Sequence, residues 1–458
     1  MTKKFDAIII GTGQAGPALA ARLSSERWKV AVLERKRFGG TCVNNGCIPT
    51  KALIASARAA YVVNRASDYG VVVDSPFRVD MKKVKTRKDE IVRPSNEGVQ
   101  KWMEGLPNGT VFYGHGRFES AHSVRVGDEI LEAENIFINV GARARMPDDL
   151  SLNGKALNNS SMMDVDFLPK HLVIVGGSYV GLEFGQMYRR FGSEVTIIEM
   201  GPRLIGREDE EVSEAIKQIM EKEGIQIRLN AKCIKSEEVN QNVVVNLDCD
   251  SGDKKVTGSH LLLAIGRIPN TDDLGLENAG IGTDNSGYIQ VDDQLRTNVP
   301  GIWALGDCNG KGAFTHTSYN DFEIVAANLL DKDHRKVSDR IQAYALYIDP
   351  PLGRAGMTEN EVRKLGKTAL IGKRPMTKVT RARIKGETEG FMKVLVDAES
   401  KQILGAAILG PEGDEIIHSL LDFMYTKKPY TVVQRAMHIH PTVTELIPTM
   451  LGELKPLE

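Results

Sequence analysis

Cys42 and Cys47 lie five positions apart in Gly39-Gly40-Thr41-Cys42-Val43-Asn44-Asn45-Gly46-Cys47-Ile48-Pro49-Thr50-Lys51. Two thiols at this spacing can ligate a metal, fill a core as small apolar groups, or exchange reversibly with a disulfide. A structural zinc asks for four ligands, usually with closer Cys pairs and a second pair elsewhere. Cys233, Cys249 and Cys308 are scattered and supply none, so no metal site is expected. The flanking glycines and Lys51 favour a redox-active dithiol. A second group with proton chemistry stands near the end of the chain, in His438-Ile439-His440-Pro441-Thr442-Val443-Thr444-Glu445. Histidine is the side chain whose ordinary pKa permits proton transfer near neutrality, and an acid five positions on can orient its ring. His438 is the alternative base. A His-x-His metal pair is the alternative use, but further ligands are not evident in the neighbouring sequence.

These groups need a frame, and two glycine-rich turns indicate it. Phe5–Ile10 is an apolar run followed by Gly11-Thr12-Gly13-Gln14-Ala15-Gly16, a helix-compatible stretch to about Ser25, and a second run, Lys29–Leu33, that ends at Glu34. Strand, Gly-x-Gly-x-x-Gly, helix, strand and an acid about 20 residues on form a dinucleotide-binding βαβ unit. Gly11 permits the tight turn, Gly13 lets the backbone approach a pyrophosphate, Gly16 allows helix and strand to pack closely, and Glu34 is placed to accept from ribose hydroxyls. The helix start supplies free N–H groups for phosphate. The pattern returns as His171–Val175, Gly176-Gly177-Ser178-Tyr179-Val180-Gly181, a helical stretch to Phe191, and Glu194–Ile198 ending at Glu199. Ser178 stands where the middle glycine is usual, so a slightly reshaped loop is expected. The separation is too long for a solenoid repeat, and two dinucleotide-binding units are read.

The segment Gly39 to Lys51 resembles the active-site segment of the class I pyridine nucleotide–disulfide oxidoreductases, which include lipoamide dehydrogenase, glutathione reductase and mercuric reductase. The resemblance extends over essentially the whole chain, with motifs in family order. It implies FAD on the first βαβ unit and NAD(P)H on the second. It further implies that Cys47 is the thiolate facing the flavin and Cys42 the interchange thiol that attacks substrate. Lys51 would pair with Glu183. His440, oriented by Glu445, would act as acid/base across a homodimer interface. Gly301-Ile302-Trp303-Ala304-Leu305-Gly306-Asp307 is similar to the later flavin motif, whose Asp (here Asp307) holds the ribityl chain. Ala313-Phe314-Thr315-His316-Thr317 resembles the start of the helix aimed at the flavin ring, although Ser318-Tyr319-Asn320-Asp321 replaces the family's small residues. Tyr179 resembles the tyrosine that covers the flavin until nicotinamide displaces it. Gly40, Thr41, Gly141 and Gly266 are assigned to the cofactor surroundings. Glu199 favours NADH, because an acid there holds a free 2′-hydroxyl and repels a 2′-phosphate. The resemblance leaves the acceptor open between a small disulfide or dithiol such as lipoamide and a mercuric-reductase-like metal-ion or quinone acceptor. The last residues carry no Cys pair of the mercuric-reductase kind, whereas Tyr347-Ile348-Asp349-Pro350-Pro351-Leu352-Gly353 looks like mercuric-reductase-like members. A non-enzymatic redox sensor is a third reading, disfavoured by the completeness of the motif set.

Composition agrees with this frame. A chain of 458 residues is about three times a typical domain. Its net charge of −1 argues against a basic nucleic-acid footprint. With 41% hydrophobic and 26% charged residues, a sizeable core is expected rather than disorder. The 44 glycines exceed the average share, and five cysteines are too few for a disulfide scaffold. No apolar run reaches the ~18 residues that cross a bilayer. The N-terminus lacks a signal-peptide pattern, so a cytoplasmic protein with no membrane partner is expected. The expected architecture is α/β: two Rossmann-like dinucleotide-binding domains plus a C-terminal α+β dimerisation domain. The expected limits are 1–145 for the first part of the FAD domain, 146–265 for the NAD(P) domain, 266–338 for the second FAD or central part, and 339–458 for the dimerisation domain. The charge-rich run Lys82–Arg93 reads as a solvated helix face, and Glu412–Tyr425 as a helix.

Overall fold

The computed structural model describes residues 2–74, 76–147, 152–248 and 254–458. Two parallel sheets carry the two glycine-rich turns. The first has the strand order Ile302–Ala304, Asn135–Ile138, Ala7–Ile10, Val30–Glu34, Gly109–Tyr113, all parallel. Ala7–Ile10 is buried along its whole length, as expected of a parallel strand covered on both faces. Helices Ala15–Ser25 and Thr315–Leu330 share one apolar cluster with this sheet, through Leu19, Leu23, Ile324 and Val325. The second parallel sheet runs Ala156–Leu157, His260–Leu263, His171–Val175, Glu194–Ile198, Gln226–Arg228. In each sheet the glycine turn follows a central strand, at the carboxyl edge where ligands of open α/β sheets bind.

The remaining sheets are largely antiparallel. Gly116–Ser120, Ser123–Val126 and Glu129–Glu132 form a meander that takes Thr2–Lys4 as a parallel fourth strand. Lys232–Val239, Asn242–Asp248 and Lys255–Gly258 form a second meander. A six-stranded antiparallel sheet, Ala343–Leu346 to Lys455–Pro456, builds the C-terminal region. Helix Gly413–Tyr425 packs on it through Ile416, Ile417 and Leu420. The two connectors that leave and re-enter the first glycine-turn unit pair with each other, Ala142–Ala144 antiparallel to Arg267–Pro269.

The charge-rich run lies within a helix, Met81–Glu104. Asp80 caps it by accepting from the Lys83 N–H at 3.2 Å. Its apolar side is not idle, since Met103 is fully buried. Among the described residues, no helix is long and apolar enough to cross a membrane.

Candidate active site

Cys42 lies in the short helix Gly40–Asn44, and Cys47 is the first residue of helix Cys47–Asn64. Gly39 and Gly40 make the preceding bend possible at φ +87° and +60°. A Cβ on Gly40 would meet Gly13 Cα at 2.9 Å, so the dithiol segment is pressed against the first glycine turn. Thr41 follows in the same short helix. The thiols are unbridged and within hydrogen-bonding reach of each other. Cys47 Sγ also shares a 3.1 Å hydrogen bond with Thr315 Oγ1, at the start of helix Thr315–Leu330. The bond from Cys42, helped by Thr315 and the Lys51 charge, lowers the Cys47 thiol to about 6. The same bond and burial push Cys42 well above the usual thiol range. One sulfur is thus prepared as a thiolate and the other as a thiol.

Lys51 sits one turn after Cys47, and its Nζ donates to both Glu183 oxygens at 2.9 and 2.8 Å. Glu183 is buried on helix Tyr179–Phe191. Two contacts invisible in the sequence complete this pair. The Tyr347 N–H donates to Glu183 Oε1 at 3.0 Å, and the Lys51 ammonium lies 4.4 Å from the centre of the Tyr347 ring, a cation–π contact.

The two nucleotide turns are built alike. Glu34 accepts from the Thr12 N–H at 3.1 Å and from the Lys36 N–H at 2.8 Å. Glu199 accepts from the Gly177 N–H and the Gly201 N–H, each at 2.7 Å. Each acid therefore pins the residue after the first glycine of its own turn. A Cβ on Gly11 would meet Asn139 O at 2.5 Å, on Gly16 the Gly11 O at 2.4 Å, and on Gly181 the Gly176 O at 1.9 Å. Gly13 lies against the Asn139 side chain and Gly176 against Ala264 O. Beside Ser178, a Cβ on Gly177 would strike Leu204 and Glu199 at 2.6 and 3.0 Å. Gly141 and Gly266 have open space at Cβ and need glycine for φ +65° and +103° instead. The N-cap residue of helix Ala15–Ser25, Gln14, makes no side-chain cap bond; of the first N–H groups, Gly16 is taken by Asn139 Oδ1 at 3.0 Å. A glycine cradle without Cβ atoms below a helix start whose N-cap side chain makes no bond fits the pyrophosphate of a dinucleotide such as FAD.

Asp307 is ion-paired with Arg267, which also donates to Ala142 O at 2.5 Å. Burial pushes the Asp307 carboxyl up, and Arg267 opposes that. The unusual Ser318-Tyr319-Asn320-Asp321 stretch has a structural use. Asp321 is buried, pairs with Arg340, and accepts from the Gly306 N–H at 2.8 Å and from Asn309 Nδ2 at 3.0 Å. It therefore holds the Gly306–Asn309 turn that carries Asp307. Asn139 went unread in the sequence, yet its side chain ties the Gly16 N–H and Leu305 O at 3.0 Å each. A polar residue closing the buried run Asn135–Ile138 was the available signal.

Glu445 accepts from His440 Nδ1 at 2.9 Å, and His440 is 72% exposed. This fixes the ring and leaves Nε2 as its working edge. His438 only approaches Ala436 O, at 3.0 Å. No group of three or more His, Cys, Asp or Glu able to hold a metal occurs among the described residues.

Two dinucleotide turns, a dithiol beside one of them and a separate C-terminal sheet define a two-nucleotide dithiol oxidoreductase. Residues 5–321 match the family described as pyridine nucleotide-disulphide oxidoreductase, and residues 342–451 match its dimerisation domain. The chain belongs to the pyridine nucleotide-disulfide oxidoreductase family, whose members use FAD and NAD(P)H and form homodimers through that domain. It is 33% identical over 461 residues to the probable pyridine nucleotide-disulfide oxidoreductase RclA of Escherichia coli strain K12, covering 99% of this chain and 100% of that protein. It is 30% identical over 453 residues to dihydrolipoyl dehydrogenase of Chlamydia pneumoniae, covering 97% and 96%. Among solved structures, the Cu(II) complex of the HOCl-induced flavoprotein disulfide reductase RclA from E. coli aligns with a TM-score of 0.89 and 33% identity, covering 98% of this chain and 99% of that one.

Proposed function

We propose that the chain is a FAD-dependent NAD(P)H:disulfide oxidoreductase that delivers electrons through Cys42 and Cys47 to a small disulfide such as lipoamide. The observation that carries this reading is the pair of unbridged thiols in the segment pressed against the first glycine turn, with Cys47 Sγ held at 3.1 Å from Thr315 Oγ1. Bound FAD supplies the hydride-to-electron-pair conversion between nicotinamide and the dithiol. Cys47 keeps the negative charge, and Lys51, held by Glu183 and Tyr347, keeps a cation close to it. Cys42 is the thiol that needs a base. His440 Nε2 takes its proton, and the Cys42 sulfur attacks the substrate disulfide, breaking the S–S bond. The departing sulfur takes the proton back from His440. The Cys47 thiolate then attacks Cys42 in the mixed disulfide and expels the second substrate sulfur, which leaves as a thiolate and is protonated from solvent. The Cys42–Cys47 disulfide and the reduced substrate remain. The family resemblance assigns His440 to the partner's Cys42, and an exposed ring held at Nδ1 by Glu445 leaves Nε2 for that role. Glu199, with no basic residue directly after it, supports NADH over NADPH. The domain limits proposed are 1–145, 146–265, 266–338 and 339–458, the second inserted into the first.

A second reading, a metal-ion acceptor on the same dithiol, is favoured by one finding: a relative matched over 99% of its chain has been solved as a Cu(II) complex. One experiment separates the two. The holoenzyme is assayed with lipoamide, glutathione disulfide, Cu(II), Hg(II) and quinones, each with NADH and with NADPH. The disulfide reading requires a disulfide to be turned over fastest, with strong loss in Cys42→Ser and His440→Ala. Equal rates in His440→Ala and the parent, with a metal ion preferred, would sink it.

A further inference from the structure

Tyr179, the first residue of its helix, is wedged against rings from two other parts of the chain. It meets Phe314 edge-on at 5.8 Å between centroids and Tyr344 edge-on at 5.6 Å, while Phe314 and Tyr344 stack at 5.5 Å. Tyr344 lies on the edge strand Ala343–Leu346 of the six-stranded sheet. Its hydroxyl donates to Glu208 Oε1, which fixes the ring that the edge of Tyr179 packs against. Tyr344 has one proton to give, and a carboxylate is the stronger acceptor. Glu208 is buried, faces Arg354 Nη1 at 3.6 Å, and cannot swing away; Arg354 is itself buried and bound to Asp209 at 3.1 Å.

The loop bearing Glu208 is also tied to the second nucleotide turn. The Ile205 N–H donates to Gly177 O at 2.9 Å, and the Glu208 N–H donates to Ile205 O at 2.8 Å. Ile205 is buried at φ +45°, a left-handed conformation that is costly for a β-branched residue. The surroundings therefore enforce this loop position, and with it the distance from the nucleotide turn to Glu208.

We propose that Tyr344 is a positioning residue for Tyr179: anchored on Glu208, it latches the Tyr179 ring in the position that closes the nicotinamide site, and the latch must be released for nicotinamide to bind. This rests on the reading of Tyr179 as the tyrosine that nicotinamide displaces. Part of the binding free energy of the nucleotide is then spent on parting Tyr179 from Tyr344, so weakening the latch tightens binding.

Calorimetric titration of the holoenzyme with NAD⁺ tests this without relying on turnover. Tyr344→Phe keeps the ring contacts but loses the anchor on Glu208, and its Kd falls about threefold to tenfold, the effect of one hydrogen bond. Tyr344→Leu falls at least as far, and Tyr179→Ala falls comparably. Adding Tyr344→Phe to Tyr179→Ala changes nothing more, because the two act on one step. If Tyr344→Phe does not fold, Glu208→Gln keeps an oxygen for Tyr344 but weakens the bond, and shows the same change at smaller size. A parental Kd in the Tyr344 variants beside a tightened Tyr179→Ala overturns the latch and leaves the Tyr179 reading standing. Additive effects in the double variant also overturn it. A parental Kd in Tyr179→Ala overturns both.

Discussion

Cys47 and Thr315 each open a helix, and their side chains meet at 3.1 Å. Two helix starts converge on one sulfur, so partial positive charge from both supports a thiolate there. Cys42 lies one short helix away, gives its hydrogen bond to Cys47, and is held as the thiol. The assignment has a definite pH signature. Cys47 is an acid whose pKa is lowered to about 6. Its thiolate is therefore present above that pH and lost below it. The long-wavelength absorption given by a thiolate against bound flavin should disappear as pH falls through about 6. Thr315→Val removes a donor to the thiolate and should raise that midpoint by up to about one unit, while Thr315→Ser should leave it in place. A midpoint unmoved in Thr315→Val would show that the hydroxyl does not support the charge. Cys47→Ser should abolish the band, and a band surviving there would reverse the roles of the two sulfurs.

The glycine turns were legible because their requirement is local: a strand, a bend with no Cβ, a helix start and an acid, all within one unit. The turns differ in why they need glycine, and that difference is measurable. Gly181→Ala drives a Cβ to 1.9 Å from Gly176 O, so helix and strand must separate, and the variant should lose most of its nicotinamide affinity in a titration. Gly266→Ala meets nothing within 4 Å and only suffers its φ of +103°. It should cost about 1–2 kcal/mol in thermal or denaturant unfolding and weaken nicotinamide binding far less than Gly181→Ala does. Equal losses of affinity in the two would refute the packing argument. Lys51 and Glu183 could be paired through the family pattern, but Tyr347 and Tyr344 could not be placed on their partners by spacing. Both come from beyond residue 340 and touch groups more than a hundred positions earlier. Hydrophobic periodicity reports which face of an element is buried, not which distant element covers it. The same limit applies to Asp321. Its family position predicts a small residue, and only the fold reveals Arg340 as its counter-ion.

At the scale of the whole molecule, the C-terminal sheet is joined to the second nucleotide unit by buried charge. Lys393 donates to Asp209 at 2.5 Å and to Glu211 and Glu359 at 2.9 Å each. The lysine holds the Asp209 and Glu211 carboxyls below their usual range against burial, and Lys367 with turn N–H groups lowers Asp397 to about 2. Depressed acids contribute stability that is present above their unfolded pKa and lost as pH falls through the folded one. Melting temperature should therefore decline below about pH 4, and Lys393→Met should flatten part of that decline. The other whole-molecule feature is the exposed His440, already oriented by Glu445. If it serves the partner's Cys42, two separately inactive variants can repair each other. A dimer of one Cys42→Ser subunit and one His440→Ala subunit has one site with both defects. Its other site has an intact Cys42 and an intact His440 from different subunits. Random reassociation places roughly half of the dimers in this mixed state, so the mixture should recover about a quarter of parental disulfide turnover. Each variant reassociated with itself should recover none. Were His440 to act on the Cys42 of its own chain, every site in the mixture would carry a defect and the activity would stay at the level of the single variants.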